Sequence, residues 1–489
     1  MISNLRSAFN RSSDTASRGS RKMRPQTAQF LALLTMITIL VSTHTLASES
    51  FPLGILGAQG SVSAGSNWIL VETVAKDSPA MKAGLLSGDK ILGIGKSNFQ
   101  KHSAKVDSGG TGPQRSLGEA LDTTAAHQKE EKRHLTLQIR RKTSEEEGEE
   151  NLKLKCSLPY RPSIREEAGM NQLSKQARNQ LLKSLKSAGY WDSPVGLTGD
   201  RVLTAWACLS LMSPGTAEEE KQIESILKWL QGPENRAWIP TDPLQKGPDN
   251  LSNWALTATV VALSEAQIRK PNDERAAVIQ TICDALVARM NEEGLFGHDV
   301  STGYKGKGFN VINTLSHLAW SISEIAGAKI SEKSWELSLQ QIRKSIDPNG
   351  GIRYWTMKNT GTADASLRTS SMALALLLKP GEEKLKTRFC TYLDQYRSRT
   401  REAHAVGSLG MLLAPAALWQ HDRKAYQRFL DEWRWYLALM QNHQGKIVYI
   451  GGKKNNGGDS YLGKNRIACV IALMILNPPK EQLRLYRPN

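Results

Sequence analysis

The feature that most constrains this chain is one apolar, small-residue-rich helix that it writes several times over. Residues 349–378 show the unit in full: a Gly-Gly turn, an aromatic patch, a polar loop, then SLRTSSMALALLL. Related helices surround Thr204 (LTAWACLSLM), Thr257 (LTATVVALSEA), Thr314 (NTLSHLAWSISEI) and Arg466 (NRIACVIALMIL). Counted through Thr369, the steps are 53, 57, 55 and 97 residues, and the long step holds a further candidate, VGSLGMLLAPAALW from Val406. A helix that is apolar on all sides packs against several neighbours at once, and its recurrence at a near-fixed spacing marks a repeat architecture. The pattern predicts an inner ring of such helices enclosed by a more polar outer ring.

Pairing each inner helix with the polar helix before it gives six hairpins: 172–187 with 201–212, 219–230 with 252–269, 274–292 with 310–326, 332–345 with 366–378, 382–400 with 405–419, and 423–442 with 464–476. Glycine–aromatic or glycine–aliphatic turns (Gly189-Tyr190-Trp191, Gly294-Leu295-Phe296-Gly297, Gly350-Gly351-Ile352) stand between partners. Residues 161–489 therefore read as one all-α domain. On this periodicity and these turns it resembles the α/α-toroid group of folds: terpenoid cyclases, protein prenyltransferases and six-hairpin glycosidases or polysaccharide lyases.

The first 47 residues are a separate object. Residues 1–28 are rich in Arg, Lys and Ser, residues 30–41 (FLALLTMITILV) are apolar apart from two Thr, and Thr45-Leu46-Ala47 ends the run with small residues at both flanks. This is the pattern of a secretory signal, with cleavage expected after Ala47 and a periplasmic or secreted product. A retained membrane anchor is the alternative, although the run is short for a spanning helix. The formal charge of +17 includes six Lys/Arg and one Asp from this segment, leaving +12 for the mature chain. That surplus favours acidic partners, but no zinc-knuckle, RRM-like or basic-helix pattern points to nucleic acid. Five cysteines lie far apart without any CxxC and are expected as buried thiols.

Residues 48–160 form a further module. ILVETVAKDSPAMKAGLLSGDKILGIGKSNF from Ile69 alternates like a strand, turns at Asp77-Ser78-Pro79, makes a short helix and returns as a strand through Gly88-Asp89. Ser78-Pro79-Ala80, Ala83-Gly84-Leu85 and Gly88-Asp89-Lys90-Ile91-Leu92 resemble the core signature of PDZ domains. A second helix is expected over 117–125 and a closing strand over 135–140, while 145–150 (EEEGEE) reads as a solvated hairpin tip. The PDZ resemblance implies that a peptide or protein C-terminus adds to a sheet edge, its carboxylate held by backbone N–H groups of Leu53, Gly54, Ile55 and Leu56. It equally allows the module to dock on its own helical domain. The whole arrangement resembles a family of exported bacterial proteins with no assigned reaction, on AKDSPAMKAGLLSGDKILG, AHAVGSLGMLLAPAALW and DSYLGKNRIACVIALMIL.

In a ring of hairpins the loops entering the inner helices converge at one mouth, where helix N-termini bring partial positive charge and free N–H groups. The polar residues there are Asp192, Asp200, Arg201, Asn250, Asn253, Tyr304, Lys307, Asn310, Asp364, Arg368, His404, Asp459, Tyr461, Lys464, Asn465 and Arg466. Arginines near three helix starts, Arg201, Arg368 and Arg466, point to an acidic ligand such as an acidic glycan or a peptide carboxylate, or else pair with Asp200, Asp364 and Asp459. Two functions follow. The first is an exported binding protein with Asn310, Arg368, Arg466 and Trp355 as ligand contacts. The second is a carbohydrate-active enzyme, lyase or hydrolase, in which His404 with Tyr461 or Tyr304 transfers protons, Asp459 contributes a carboxylate, and Asp192, Asp200, Asp364 and Asp459 offer the carboxyl pairs of a hydrolase. His317, inside LSHLAW, reads as a hydrogen-bonded core residue, and His298 as a loop residue without a role.

No GxSxG elbow, Walker loop, HExxH or dinucleotide fingerprint occurs, so no cofactor is expected. The DxDD motif of a terpene cyclase is also absent from the sequence. Asp459, Cys469 and His404 assemble a zinc set only on paper, and no metal is expected.

Overall fold

The computed structural model describes residues 50–63, 65–101, 112–143, 148–212, 216–232, 238–300, 308–355, 365–402, 407–450 and 462–488. The candidate signal, His404, Asp459 and Tyr461 lie outside these residues. Among the described residues no helix is long and apolar enough to cross a membrane.

The N-terminal module is an antiparallel sheet with two helices. Its strands are β1 (Ser50–Pro52), β2 (Ala58–Ser61), β3 (Ile69–Val74), β4 (Lys90–Ile94), β5 (Ser97–Asn98), β6 (His134–Lys142) and β7 (Glu149–Ser157), in the order β1-β2-β3-β4-β6-β7, with β5 on β4. Burial alternates along β6 as a half-covered strand requires. Helix α1 (Pro79–Lys82) starts on proline, and the Ser78 hydroxyl accepts a 3.1 Å bond from Met81 N–H. Helix α2 is Pro113–Ala125. The solvated tip expected at 145–150 is instead partly strand: Glu149 and Glu150 begin β7, which pairs with β6 over nine residues. The alternating ENLKLKC run supplies the period, and the charged side chains face solvent.

Six hairpins make the helical domain. The outer helices are α3 (Glu167–Lys183), α5 (Ala217–Gln231), α7 (Asp273–Arg289), α9 (Glu332–Lys344), α11 (Glu383–Gln395) and α13 (Arg423–Met440). The inner ones are α4 (Leu197–Leu211), α6 (Ser252–Arg269), α8 (Asn310–Ile325), α10 (Ser366–Leu378), α12 (Gly407–His421) and α14 (Asn465–Leu476). Each inner helix packs on the next, and α14 packs back on α4, so the ring is closed. Composition explains the sorting. Every residue of α10 is buried, whereas α9 buries one stripe, Trp335, Ser338, Leu339 and Ile342.

A turn repeated after four outer helices locks the repeats together. In KSAGYW, NEEGLF, DPNGGI and NHQGKI the glycine (189, 294, 350, 445) has φ between 72° and 92°, a left-handed conformation that glycine adopts without strain. The residue two places later turns inward and donates its backbone N–H to a polar side chain: Trp191 to Thr204, Phe296 to Asn313, Ile352 to Thr369, Ile447 to Gln180. At Gly294 a Cβ would stand 2.6 Å from Leu337 O of the next outer helix, and Gly445 faces Gln176 of α3, so the last turn meets the first helix.

The C-terminal ends of the inner helices are sealed by the chain's own tail. Leu483, Leu485 and Tyr486 are fully buried. Glu265, near the end of α6, accepts N–H bonds from Arg484 (2.9 Å) and Leu485 (2.7 Å), and Gln420 of α12 donates to Leu485 O. Among the described residues this leaves the opposite end, where the inner helices begin, as the candidate for a ligand.

Candidate functional site

Planar groups run side by side around the starts of four inner helices. Arg201, in the second turn of α4, and Arg289, in the last turn of α7, both lie against the Trp238 ring, at 5.7 and 5.3 Å from its centroid. Arg289 is fully engaged, donating to Pro243 O, Gln245 O, Ser252 Oγ and Asn253 Oδ1, with Asp299 at 3.5 Å. Asn253, in the first turn of α6, ties the loop from the next hairpin by donating to Gly297 O and Asp299 O. Beside it Trp254 stacks on His298 (6.1 Å), His298 on Phe309 (4.1 Å), and Phe309 meets Trp355 (4.8 Å) and Tyr354 (5.6 Å). Arg368, in α10, closes the band over Tyr354 at 5.5 Å.

His298 is held in one state. Its Nδ1 accepts the indole N–H of Trp254 at 2.9 Å, which requires a lone pair there and leaves the proton on Nε2. Burial lowers its pKa and favours the same neutral form. Asn310, the first residue of α8, donates to Arg353 O and receives nothing on its buried Oδ1 among the described residues. Trp254, His298, Tyr354 and Trp355 are half-buried, so the band presents ring edges and faces to the mouth.

Of the predicted ligand contacts, Asn310, Arg368 and Trp355 meet here. Arg466 does not. It pairs with Asp192 at 2.7 Å across the seam between the first and last hairpins, beside a cavity of about 560 Å³ lined by Gln180, Ser184, Lys464 and Cys469 among others. Burial works to raise the Asp192 carboxyl, but Arg466, with Lys186 behind it, holds it below the usual range. Of the four Asp residues expected as possible hydrolytic pairs, Asp200 accepts from Ser193 N–H and Asp192 is in its ion pair, while Asp364 and Asp459 lie outside the described residues. Cys469 is a buried thiol whose pKa burial pushes up to about 12. All five cysteines are buried and unpaired. His317 corrects its expectation: it is fully buried, yet neither ring nitrogen finds a hydrogen-bond partner among the described residues. It is boxed by Trp320 and Trp335, and burial pushes its pKa down to about 3.

The module's loop meets the helical domain, as the docking alternative has it, and not the open space that the peptide-binding reading needs. Leu53, Gly54, Ile55 and Leu56 are buried, and a Cβ on Gly54 would stand 3.0 Å from Ala438 O in the last turn of α13. The carbonyl end of that helix, partially negative, lies where a peptide carboxylate was expected. Arg161 adds a cation to it, donating to Gln441 O (3.3 Å) and Asn442 O (3.1 Å). Helix α2 lies along α13 so closely that a Cβ on Gly118 would be 2.4 Å from Trp435 O, and Arg115 pairs with Glu432 at 2.7 Å. Strand β1 fills one edge of β2 and β3 the other, leaving β2 no edge for an added peptide.

A family model described as "Domain of unknown function (DUF6288)" matches residues 176–486, well over half of the chain. The chain belongs to this family. No curated protein matches it. Solved structures similar to this DUF6288 chain include a protein from Actinoplanes (12% identity, TM-score 0.41, covering 63% of this chain and 98% of that one). Others are the GH76A alpha-1,6-mannanase from Salegentibacter sp. HEL1_6 (11%, TM-score 0.44, covering 64% and 100%) and the type II terpene cyclase MstE from Scytonema (14%, TM-score 0.41, covering 64% and 99%). The closed ring described above rests on the contacts of its own helices.

The matched DUF6288 segment contains the entire band, including Trp238, Arg289 and Phe309, which sequence reasoning passed over, and Trp254 and His298, to which it gave no ligand role. Their sequence signal is position. Phe309 is the N-cap of α8 and Trp254 lies in the first turn of α6, so both stand at the mouth even though each also looks like an ordinary packing residue.

Proposed function

We propose that this DUF6288 protein is an exported glycan-binding protein whose helical ring takes a carbohydrate at its mouth. The observation that carries the reading is the band from Trp238 through Trp254, His298, Phe309 and Trp355 to Arg368, drawn from three successive hairpins. Sugar rings present apolar C–H faces and a rim of hydroxyls. Half-buried indole and phenol rings suit the faces, and the half-buried His298, with its proton on Nε2, offers a donor for the rim. Export is supported by the basic, apolar and small-residue order of residues 1–47. The strand–loop–strand–helix order of the module and its Ser78-Pro79 and Gly88-Asp89 turns support a PDZ-like identity, here serving as a fixed brace on α13. The enzymatic alternative would add His404, Tyr461 and Asp459 to the same mouth.

The test is affinity electrophoresis of the mature protein through gels containing neutral and acidic polysaccharides. Retardation by at least one glycan, abolished in Trp355→Ala at unchanged Tm, is the expected result; free migration through all of them refutes the reading. Scoring the same mixtures for unsaturated-product absorbance and new reducing ends decides between binding alone and catalysis.

A further inference from the structure

Three arginines stand near inner-helix starts, and two are accounted for. Arg466 pairs with Asp192, and Arg368 donates its Nε–H to Ile352 O while lying over Tyr354. Arg201 differs. It is 1% exposed, and its Nε and Nη2 have no hydrogen-bond partner among the described residues. Those two N–H groups lie on one edge of the guanidinium and form the fork that a carboxylate fills with its two oxygens.

The neighbouring carboxylates are committed elsewhere. Asp299 accepts from Gly247 N–H and Ser252 Oγ and faces Arg289, Asp249 accepts from Thr198 N–H and Oγ–H, and Asp200 accepts from Ser193 N–H. A buried cation with its bidentate edge unfilled is costly to keep, and it is explained if a ligand supplies the missing acceptor. Building on the glycan reading above, we propose that the glycan bound at the mouth carries carboxylates and that Arg201 grips one of them through Nε and Nη2. A uronic-acid residue fits this description: its carboxylate takes the fork while its ring takes the adjoining aromatic face of Trp238. Because Arg201 is almost fully covered, entry of the carboxylate must shift a neighbour, and the half-buried Trp238 indole is in contact with it and reports the event.

The experiment is a fluorescence and calorimetric titration of the mature protein with a 1,4-linked hexauronate and with its carboxyl-reduced, neutral counterpart. The wild type should bind the acid form roughly ten- to a hundredfold more tightly, the worth of hydrogen bonds to a charged group. Arg201→Gln should lose that preference while still binding the neutral hexasaccharide. Arg201→Lys, which keeps the charge and most of the bulk but not the fork, should fall between them, and it decides the matter if the Gln variant fails to fold. Equal affinity for the two hexasaccharides, or an acid preference untouched in Arg201→Lys and Arg201→Gln, overturns the carboxylate assignment and leaves the glycan reading standing. Tight binding of a sulfated oligosaccharide or of a peptide carboxylate in place of the uronate also overturns it. If neither hexasaccharide binds, the glycan reading itself has failed.

Discussion

Replacing Glu265 by glutamine probes the seal at the far end of the ring. The carboxylate is completely buried, and its two oxygens receive the N–H groups of Arg484 and Leu485. Burial is the larger influence and pushes its pKa up from 4.5 to about 7, against the two backbone donors and the Arg484 charge, which pull it down. The folded protein therefore holds a proton that the unfolded chain releases, and stability falls as pH rises from about 4.5 to about 7. Two and a half pKa units correspond to about 3 kcal/mol, fully present below the lower pH and lost above the upper one. Glutamine never ionises, so the free-energy gap between Glu265→Gln and wild type should move by that amount in favour of glutamine across the window. At pH 4.5 the variant should be the less stable, because its amide nitrogen cannot accept one of the two N–H bonds. Thermal melts of both proteins every half unit from pH 4 to 8.5 measure the gap. A gap independent of pH would show that Glu265 does not titrate in this window.

Three further outcomes follow from the packing. Gly294→Ala should cost roughly 2–4 kcal/mol, since its φ of +84° and the 2.6 Å approach to Leu337 O both oppose a Cβ, and a lowered denaturation midpoint checks it. Gly118→Val should separate α2 from α13 at a cost of roughly 1–3 kcal/mol, seen as faster limited proteolysis around residues 158–166. Fluorescent peptides with free C-termini should give no saturable polarisation signal with the wild type, because α13 and β1 already occupy the loop and the strand edge.

Most of the helical framework was legible because its signals are local. Inner helices such as LRTSSMALALLL have no polar face, outer ones such as EKSWELSLQQIRK have one apolar stripe, and the six predicted pairs match α3 to α14 with ends moved by a few residues. The start of strand β7 escaped because Glu149 and Glu150 read as part of a solvated tip, whereas an outward-facing strand can carry them on its wet side. The loop at 53–57 was recognisable from its glycines, and docking on the helical domain was one of its two readings, but the segment that it meets was not. The carbonyl end of α13 is nearly four hundred residues away, and nothing in either segment names the other. The mouth divided the same way. Asn310, Arg368 and Trp355 were reachable from their place near helix starts, while Trp254 and Phe309 carried no mark to separate a ring that lines the mouth from one that fills the core. His298 acquires its fixed tautomer from Trp254, a pairing only the fold creates.

The glycan-binding mouth is tested most directly by following indole fluorescence while oligosaccharides are titrated into the mature protein. Saturable change in the wild type, lost in both Trp254→Ala and Trp355→Ala with folding intact, is the predicted result. A flat titration, or a response that survives removal of both indoles, would contradict it.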